Sequence, residues 1–582
     1  MKKKVKDIIF SFPNNQKIGK KVNPVFFDEY TQKIFSGFDS TYEKNKFLIS
    51  IKDYKKTNFY TKLLFKKVNK YRKEIGSQLN SIHKTNHSKE YWAIVLDSFL
   101  YFLTNSIVVE YNLINKYVKK SFFIENNKPF NGYYTDTDDF QSKLNTDNRQ
   151  LILRSIIFDE LKLTLSKKNN IKPLDTRINY HPKISFFKNL IKNIIIFFIR
   201  TYIKGIKPIL LVDSYFGIKN SFLLFIKSYG KILILSSNLI FYEKKKNVNA
   251  NIFLRKSLKI KQSDKIDKIF NSVIGSFLPA SFLELYKTYN CNLKLAQKIK
   301  LLGTGIALNY DDRFKYLAAN AKKNKGKLIH FQHGGIIGET KNQIEELIIK
   351  NIVDKEFFWK KKNKMSVDNY LSRFKKIDFN KNLKNNSQIL LVLTRCLIRH
   401  NYSKLTLVRN HPFLRDSLKF HDHLNDDIKL KTKIKIFPYL ETERKLMEKI
   451  LVNRPGVKLL KEKTTKIMKH YASSRIIIIE EISTSFYELL KLEIPFIVMT
   501  NEFEVYNKKF TNDLLKLSNV NILFRDPLKA AKFVNSNYYQ VNIWWNKVLK
   551  SRIYRNFKKR YIPEKLNYAE FKKNLYELNK LK

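Results

Sequence analysis

The sequence has little cysteine and no long uninterrupted apolar run. Its two cysteines, Cys291 and Cys396, are too few for a disulfide framework or a four-ligand zinc site. We therefore expect both thiols to be small buried side chains in a reducing compartment. No segment reaches the roughly 18 apolar residues that span a bilayer, and even Ile194 to Ile199 is flanked by Lys192 and Arg200. These absences predict a cytoplasmic protein, with peripheral contact to the inner membrane left open.

Acidic residues are scarce relative to basic ones. The chain has 51 Asp and Glu against 112 Lys and Arg, a net charge of +61. Such an excess indicates an anionic partner, such as nucleic acid, a phospholipid surface or a phosphorylated substrate. The lysines are dispersed along the chain, however, so a compositional bias explains the excess equally well. Since no zinc knuckle, RNA-recognition strand motif or compact basic arm is present, nucleic acid is not the expected partner.

The length of the chain predicts several domains. At 582 residues, with 43% apolar side chains, the chain exceeds what one hydrophobic core holds. Strands and helices alternate in two successive blocks, which is typical of parallel sheets. We predict an α/β fold with two Rossmann-like domains facing a cleft. The predicted ranges are a largely helical N-terminal extension (1–205), a first Rossmann-like domain (206–365), a second Rossmann-like domain (366–540) and a basic helical tail (541–582).

The N-terminal part has a helical pattern after about residue 60, and the residues before it are expected to be irregular. Ile94 to Val109 is apolar enough for a buried helix. Asn126 to Asn148 has the composition of a loop, and Leu151 to Leu165 is again helical. Phe186 to Tyr202 is a basic amphipathic segment that fits either an anionic membrane surface or a domain helix with solvated lysines. The second interpretation is favoured.

Apolar runs bounded by turn residues predict the strands of both domains. Phe282 to Tyr286 is expected to be helical, as is Glu443 to Leu451, and residues 544–582 are expected to pack back across both halves. The predicted strands are Ile209–Val212, Lys231–Leu235, Ile299–Leu302 (ended by Gly303) and Leu328–Phe331 in the first domain, and Gln388–Leu393, Lys433–Phe437, Val457–Leu460, Arg475–Ile479 and Ile494–Val498 in the second.

The first candidate site follows the strand Leu328–Phe331. Gln332, His333, Gly334 and Gly335 come directly after it, and Gly338 follows shortly. Paired glycines allow a sharp turn and close approach of a ligand, and ligands bind at the carboxyl ends of strands in open α/β sheets. His333 titrates near neutral pH and is a candidate general base.

A second candidate site is a hydroxyl-rich helix start in the other domain. Ser483, Thr484 and Ser485 precede a helix, and such an N-terminus attracts anions through its amides and dipole. Glu488 is placed to accept hydrogen bonds from ribose hydroxyls, while plain capping explains the same pattern. Arg395 is a candidate for stabilising a leaving diphosphate without a metal.

These motifs resemble those of the transferases of bacterial surface-carbohydrate biosynthesis, lipopolysaccharide and related glycans. Relatives of that family have the two-domain glycosyltransferase architecture called GT-B. The similarity spans most of the chain from about residue 70. It is carried by Leu79 to Trp92 (with Asn80, His83 and His87), Leu278 to Glu284, Gln332 to Gly338, Glu345 to Trp359, and Ser483 to Pro495.

The resemblance implies sugar-nucleotide chemistry. The expected function is transfer of a sugar from a nucleotide-sugar donor to a cell-surface glycan or a lipid-linked acceptor, with no metal and no cofactor. Asn80, His83 and His87 are assigned to the acceptor side. His83 and His87 share a helical spacing, but they lack a third metal ligand, so hydrogen-bonding roles are favoured. A polyol-phosphate transferase with a cytidine-nucleotide donor, a basic nucleic-acid-binding protein and an inactive member of an assembly complex are the alternatives.

Overall fold

A computed structural model describes most of the chain. The described residues are 6–10, 22–26, 57–115, 121–123, 133–146, 149–161, 177–180, 186–241, 246–341, 344–360, 366–374, 387–393, 413–436, 457–460, 467–501, 503, 506–563 and 565–580.

The strands and helices are numbered here in chain order. The strands are β1 (Lys6–Phe10), β2 (Val22–Phe26), β3 (Ser121–Phe123), β4 (Arg177–Tyr180), β5 (Ile209–Val212), β6 (Ile232–Leu235), β7 (Lys246–Asn249), β8 (Leu301–Thr304), β9 (Lys327–Phe331), β10 (Lys355–Phe357), β11 (Gln388–Leu393), β12 (Thr432–Ile436), β13 (Lys458–Leu459), β14 (Ser474–Ile479), β15 (Phe496–Met499) and β16 (Leu523–Phe524). The helices are α1 (Thr57–His83), α2 (Lys89–Asn115), α3 (Thr137–Thr146), α4 (Arg149–Glu160), α5 (Phe186–Ile206), α6 (Gly217–Lys227), α7 (Ile252–Ser257), α8 (Lys265–Phe277), α9 (Tyr286–Tyr289), α10 (Leu293–Ala296), α11 (Ala307–Tyr310), α12 (Asp312–Lys323), α13 (Ile344–Ile352), α14 (Phe413–Asp422), α15 (Asp426–Lys429), α16 (Ile467–Ser473), α17 (Thr484–Leu492), α18 (Lys508–Lys516), α19 (Pro527–Asn537), α20 (Val541–Lys550), α21 (Arg552–Tyr561) and α22 (Tyr568–Lys580).

Two parallel sheets organise the molecule. The first has the strand order β10-β9-β8-β5-β6, and the second has the order β13-β12-β11-β14-β15-β16. All pairs in both sheets are parallel. Strands β5, β11, β14 and β15 are largely apolar and buried, as expected when helices cover both faces of a sheet. The predicted α/β fold with two Rossmann-like sheets is therefore confirmed.

The apolar runs located the strands well. Ile209–Val212 and Gln388–Leu393 have the predicted bounds, while the other predicted strands begin or end one or two residues away. The helix expected over Glu443 to Leu451 lies outside the described residues. Gly303 was expected to end a strand, and that expectation is wrong. It lies inside β8, where a Cβ would come within 2.6 Å of Leu211 Cδ2 and 2.8 Å of Ile329 Cγ1.

The helical N-terminal part packs on the first sheet. Residues of α1 and α2 share one apolar core with strand residues such as Leu210 and Leu302. Arg72 of α1 binds Asp97 of α2 through two buried hydrogen bonds of 2.6 and 2.8 Å. Residues 89–112 of α2 are long and apolar enough to cross a membrane, but they are entirely buried within the protein. The expected buried helix over Ile94 to Val109 is confirmed.

Four local expectations are wrong. The first 60 residues contain β1 and β2, which pair in parallel, because short apolar runs there find partners that are distant in sequence. The predicted loop over Asn126 to Asn148 contains α3, whose first turn carries Asp138 and Asp139, which favour a helix N-terminus. Phe282 to Tyr286 is split into a 3₁₀ turn (Ala280–Phe282) and α9. Cys291 is exposed, since it lies in the turn between α9 and α10, and Cys396 lies outside the described residues.

The C-terminal helices bridge the two halves, as predicted. Trp545 of α20 and Phe557 of α21 belong to the core of the second sheet. Phe571 and Leu575 of α22 instead complete a core on the first sheet, together with Leu211. The tail therefore covers both sheets.

The interior position of Gly303 gives a stability prediction. We expect Gly303→Ala to lower the free energy of unfolding by about 1–3 kcal/mol, because the added methyl group overlaps side chains on both neighbouring strands. Gly205→Ala, in α5, is the matched control, since nothing lies within 4 Å of its Cβ position, and it should be neutral or stabilising by up to about 1 kcal/mol. Urea unfolding measures both, and equal effects of the two substitutions would contradict this account.

Candidate functional site

The loop after β9 is shaped by Gln332. Its backbone N–H donates to the Phe357 carbonyl at 2.9 Å, which continues the pairing of β9 with β10. Its side-chain oxygen accepts from the Trp359 N–H at 2.8 Å, and its Nε2 donates to the Gly334 carbonyl at 2.7 Å. Gln332 thus folds the glycine turn onto the edge of the first sheet.

The glycine turn touches the start of α17 in the second half. The Gly335 N–H donates to Thr484 Oγ1 at 3.3 Å. A Cβ on Gly335 would lie 2.3 Å from Tyr487 Cδ2 and 2.9 Å from the Ser483 carbonyl oxygen. A Cβ on Gly334 would meet nothing closer than 3.6 Å. The structure therefore brings the two predicted sites into direct contact, and only at Gly335 does that contact require glycine.

The end of the loop is fixed by α13. Gly338 has a φ of +81°, a conformation that glycine adopts without strain. Its N–H donates to Glu346 Oε1 at 2.7 Å. The carboxylate of a residue in the first turn of α13 thus anchors the loop.

His333 lies in the contact region with most of its side chain buried. Its ring packs against Tyr215 with centroids 6.0 Å apart and an interplanar angle of 19°. Its Nε2 is 3.9 Å from Glu345 Oε2, beyond hydrogen-bond length, and its Nδ1 is buried without a hydrogen-bond partner among the described residues. Burial lowers the pKa of His333, and the Glu345 carboxylate and the Gly305 backbone partly oppose that shift. The imidazole is therefore neutral near pH 7 and able to accept a proton.

A second histidine, His330, lies beside it on β9. The His330 ring is perpendicular to the His333 ring, with centroids 6.1 Å apart, and its Nε2 is 2.9 Å from the Gly305 carbonyl oxygen. Burial lowers the pKa of His330 to about 3, and the neighbouring His333 adds to the effect. His330 is neutral and ties β9 to the loop after β8.

The hydroxyls before α17 do not all have the expected role. Ser483 occupies the N-cap position, but its side chain makes no capping hydrogen bond, and its buried Oγ has no partner among the described residues. Thr484 Oγ1 accepts a hydrogen bond from the Gly335 N–H, so this hydroxyl forms part of the contact between the two halves. Ser485 lies close enough to influence the pKa of Tyr471. Plain capping by the Ser483 side chain, the alternative explanation of this motif, is therefore not observed.

Glu488 is buried on the next turn of α17, and both carboxylate oxygens are engaged. Tyr370 donates to Oε1, and Tyr471 donates to Oε2 at 3.1 Å. Burial raises the pKa of Glu488, and the two tyrosine hydrogen bonds oppose that rise. Its assignment to a ribose stays a prediction, and in this structure both of its carboxylate oxygens accept from tyrosine hydroxyls. The nearby Glu480 and Glu481 are also buried, and Ser417 donates to Glu480.

An exposed cation stands next to this cluster. The Arg373 guanidinium lies over the Tyr370 ring, 3.8 Å from its centroid, and Arg373 is itself exposed. The Tyr370 ring is 6.1 Å from the Tyr215 ring, which in turn packs against His333. Arg373, Glu488 and His333 are therefore linked through two tyrosines.

A pocket opens behind the loop, between the two halves. The Glu339 carboxylate in its wall accepts from Lys360 Nζ at 2.5 Å and from Asn507 Nδ2 at 3.2 Å. The Tyr487 hydroxyl is buried there without a partner among the described residues. The lining residues are Gln332, Gly335, Ile337, Gly338, Glu339, Phe358, Trp359, Lys360, Tyr487 and Tyr561.

Asn80, His83 and His87 form a separate cluster at the turn between α1 and α2. Asn80 Nδ2 donates to the His87 carbonyl at 2.9 Å, and Asn80 Oδ1 accepts from the His87 N–H at 3.0 Å. His83 Nε2 is 2.9 Å from the Phe282 carbonyl oxygen, and His87 Nε2 is 2.8 Å from the Tyr286 hydroxyl. The favoured hydrogen-bonding roles are confirmed, and these three side chains are not joined to the Gln332–Gly338 loop by any described hydrogen bond or ring contact.

Two further expectations concern ions and Arg395. The described part of the chain holds no group of three side chains able to bind a metal ion. Arg395 lies outside the described residues.

Several residues of the cluster were not singled out from the sequence. Glu345 and Glu346 were quoted for the resemblance without a role, and their position seven and eight residues after Gly338 was the available signal. His330 precedes the loop within the same strand. Tyr215, Tyr370 and Arg373 reach the site from distant segments, and no local pattern marks them.

Two parallel sheets that meet through a strand-end loop and a helix N-terminus give the chain an α/β architecture with two Rossmann-like halves. The model of the LIC12162 family transferases matches residues 14–572. The chain therefore belongs to the LIC12162 family of transferases, and it is an enzyme.

Other known proteins are more distant. No curated protein sequence matches the chain significantly. Among solved structures, S. aureus MnaA with UDP is similar at 10% identity and a TM-score of 0.35, over 64% of this chain and 97% of that one. The wall teichoic acid polymerase TagF with CDPG is similar at 9% identity and a TM-score of 0.34, over 69% and 99%. TarM is similar at 10% identity and a TM-score of 0.31, over 50% and 58%. Because these TM-scores are low, the assignment of the chain to its family rests on the family model alone.

The contact at Gly335 gives a prediction with an adjacent control. We expect Gly335→Ala to lower the free energy of unfolding by about 1–3 kcal/mol, because its methyl group would overlap the Tyr487 ring and the Ser483 carbonyl. Gly334→Ala should be nearly neutral, since its Cβ position is open. Thermal unfolding compares the two variants, and a larger loss in Gly334→Ala would show that the two halves do not meet as described.

The neutral state of His330 gives a pH prediction. In the folded protein its pKa is lowered to about 3 from an ordinary value of 6.5, so the unfolded state binds more protons between these two values. The contribution of His330 to the free energy of unfolding is therefore fully present well above pH 6.5, and it is lost as the pH falls toward 3. From about pH 7.5 to 5.5 this histidine alone should reduce the free energy of unfolding by about 1.4 kcal/mol.

The measurement is a double difference. The free energy of urea unfolding is measured for the wild type and for His330→Gln at both pH values. The contributions of the other buried histidines cancel in the difference between the two proteins, and the variant should lose less stability by that amount. Equal pH dependence in both proteins would mean that His330 titrates normally.

Proposed function

We propose that this transferase is a glycosyltransferase that moves a sugar from a nucleotide-sugar donor to a cell-surface glycan or a lipid-linked acceptor. The observation that supports this most is the contact between the His333 loop and the N-terminus of α17. This contact brings the loop that carries His333 against a helix N-terminus, and helix N-termini attract anions.

The donor is assigned to the second half. Backbone amides at the start of α17, with the hydroxyls of Ser483 and Ser485, would bind phosphate oxygens of the nucleotide. Arg373 is exposed beside this helix and would stabilise the negative charge that develops on the leaving diphosphate. Glu488 would exchange its tyrosine partners for ribose hydroxyls. In this proposal no metal ion is needed to hold the diphosphate.

We assign His333 as the base that deprotonates the acceptor hydroxyl. The oxygen of that hydroxyl attacks the anomeric carbon, the bond from that carbon to the diphosphate oxygen breaks, and the nucleoside diphosphate leaves. The hydroxyl proton passes to the imidazole. Nε2 is the ring nitrogen nearer to the Glu345 carboxylate, so it would carry the proton of the neutral imidazole. Nδ1 would then accept the proton of the acceptor hydroxyl. Because Nδ1 is buried while the loop touches α17, substrates would enter when the two halves separate.

The location follows from the acceptor. A lipid-linked acceptor made from cytoplasmic nucleotide sugars would place the enzyme in the cytoplasm, peripheral to the inner membrane. The basic surface would favour anionic lipids and acceptors there.

Donor binding is the first test. We expect one of UDP-, GDP-, CMP- or CDP-linked sugars to stabilise the protein by about 2.7 kcal/mol at a hundredfold excess over its Kd. A CDP-linked polyol belongs in the same panel, and stabilisation by it alone would move the assignment to polyol-phosphate transfer. Stabilisation by single-stranded nucleic acid with a steep salt dependence, and by no nucleotide, would overturn the proposal.

The role of His333 is tested with the identified donor. His333→Ala should lower kcat by about 10²- to 10⁴-fold while the Kd for the donor stays the same, because only proton transfer is lost. His423→Ala, which removes an exposed histidine near the end of α14, is the matched control and should keep full activity. Arg373→Gln should weaken donor binding. If His333→Ala transfers at the normal rate, this histidine only holds the turn.

A further inference from the structure

Helix α5 presents a wide apolar face to solvent. Ile194, Ile195, Phe197 and Phe198 are 51%, 43%, 60% and 66% exposed. Their spacing places them on one side of the helix, because residues three and four apart are neighbours on a helix surface. Buried Ile196 points to the opposite side, toward the protein. The exposed side is thus as apolar as the packed one.

The face continues onto α6. Tyr202 of α5 donates to the Gly230 carbonyl at 2.8 Å, and its ring lies 6.1 Å from that of Phe225. These contacts bring the C-terminal end of α6 beside α5. On α6, Phe222 and Ile226 are 62% and 52% exposed. We call these exposed residues of α5 and α6 the apolar face, and it is larger than the isolated exposed side chains found elsewhere on soluble proteins.

The chain segment that carries most of this face is strongly basic. Residues 176–242 include ten Lys and Arg but one acidic residue, Asp213. The Asp213 carboxylate accepts from the Ser237 N–H, so it is turned toward the backbone. Lys204, Lys207 and Lys227 are exposed at the ends of α5 and α6. An apolar centre with a basic border matches the chemistry of an anionic lipid surface, where apolar side chains enter the acyl boundary and lysines reach the headgroups.

We propose that the apolar face is a membrane-docking surface for an anionic bilayer. Phe197 and Phe198 enter the interface, and the flanking lysines contact acidic headgroups. Since α5 lies parallel to the surface in this arrangement, it does not span the bilayer. The proposal goes beyond the catalytic assignment, and it holds or fails independently of which sugar is transferred.

Vesicle co-sedimentation of the full chain tests the proposal. Vesicles with about 40 mole per cent phosphatidylglycerol in phosphatidylcholine, at about 0.15 M salt, should bind the protein, and pure phosphatidylcholine vesicles should bind it at least about tenfold less. Phe197→Ser with Phe198→Ser should reduce binding to the anionic vesicles by about tenfold or more. Both side chains are exposed, so folding should be unaffected.

A matched control removes apolar side chains from the other half of the molecule. Leu430 and Ile543 are 63% and 49% exposed, and the double change Leu430→Ser with Ile543→Ser should leave vesicle binding unchanged. Reversing charge at the border with Lys204→Glu and Lys207→Glu should reduce binding to anionic vesicles and leave thermal unfolding unchanged.

Three results would overturn the proposal. The first is absence of binding to anionic vesicles, and the second is equal binding by the wild type and the Phe197/Phe198 variant. The third is a change of oligomeric state in that variant without vesicles, which light scattering detects and which would assign the face to a second copy of the chain. Nucleotide-induced stabilisation of the Phe197/Phe198 variant separates these outcomes from any failure of the catalytic proposal.

Discussion

The close approach of Gly335 to Tyr487 sets the relation between the two sheets. A helix start can approach a strand-end loop this closely only where the loop lacks a side chain, and Gly335 has none. The hydrogen bond to Thr484 then fixes the register of one half against the other. Gln332 and Glu346 hold the loop in the conformation that this contact needs. The missing Cβ of Gly335 therefore determines how the loop after β9 and the N-terminus of α17 come together.

Burial of the contact region changes the pKa values of its titratable groups. Burial lowers the pKa of His333 and raises the pKa of Glu488, so both shifts favour uncharged forms. Tyrosine hydroxyls satisfy the Glu488 oxygens, whereas His333 Nδ1 and Ser483 Oγ have no partner among the described residues. Unsatisfied buried polar atoms cost free energy. The region is thus poised to gain from a ligand that supplies hydrogen bonds and displaces the contacts between the two halves.

The sequence predicts the sheets better than it predicts the site. Buried parallel strands are continuous apolar runs, so local composition located β5 and β11 to the residue. The expectation that Gly303 ends a strand was wrong because glycine is required there by the side chains of the neighbouring strands, which leave no room for a Cβ. His333 was recognisable because its surroundings are local glycines. Arg373 and Tyr370 were not, because Tyr370 reaches Glu488 from 118 residues away and Arg373 packs on the Tyr370 ring, and only the fold creates these contacts.

The packing of α22 has a consequence for biosynthesis. Its Tyr568 donates to Asn220 of α6, 348 residues earlier in the chain, and Phe571 fills the core above Leu211. During translation the first sheet therefore leaves the ribosome with part of its apolar surface uncovered, and it stays so while the entire second half is made. That nascent half is exposed to association with chaperones or with other unfinished chains for the whole interval. Loss of this one helix would leave an aggregation-prone surface on an otherwise complete pair of sheets.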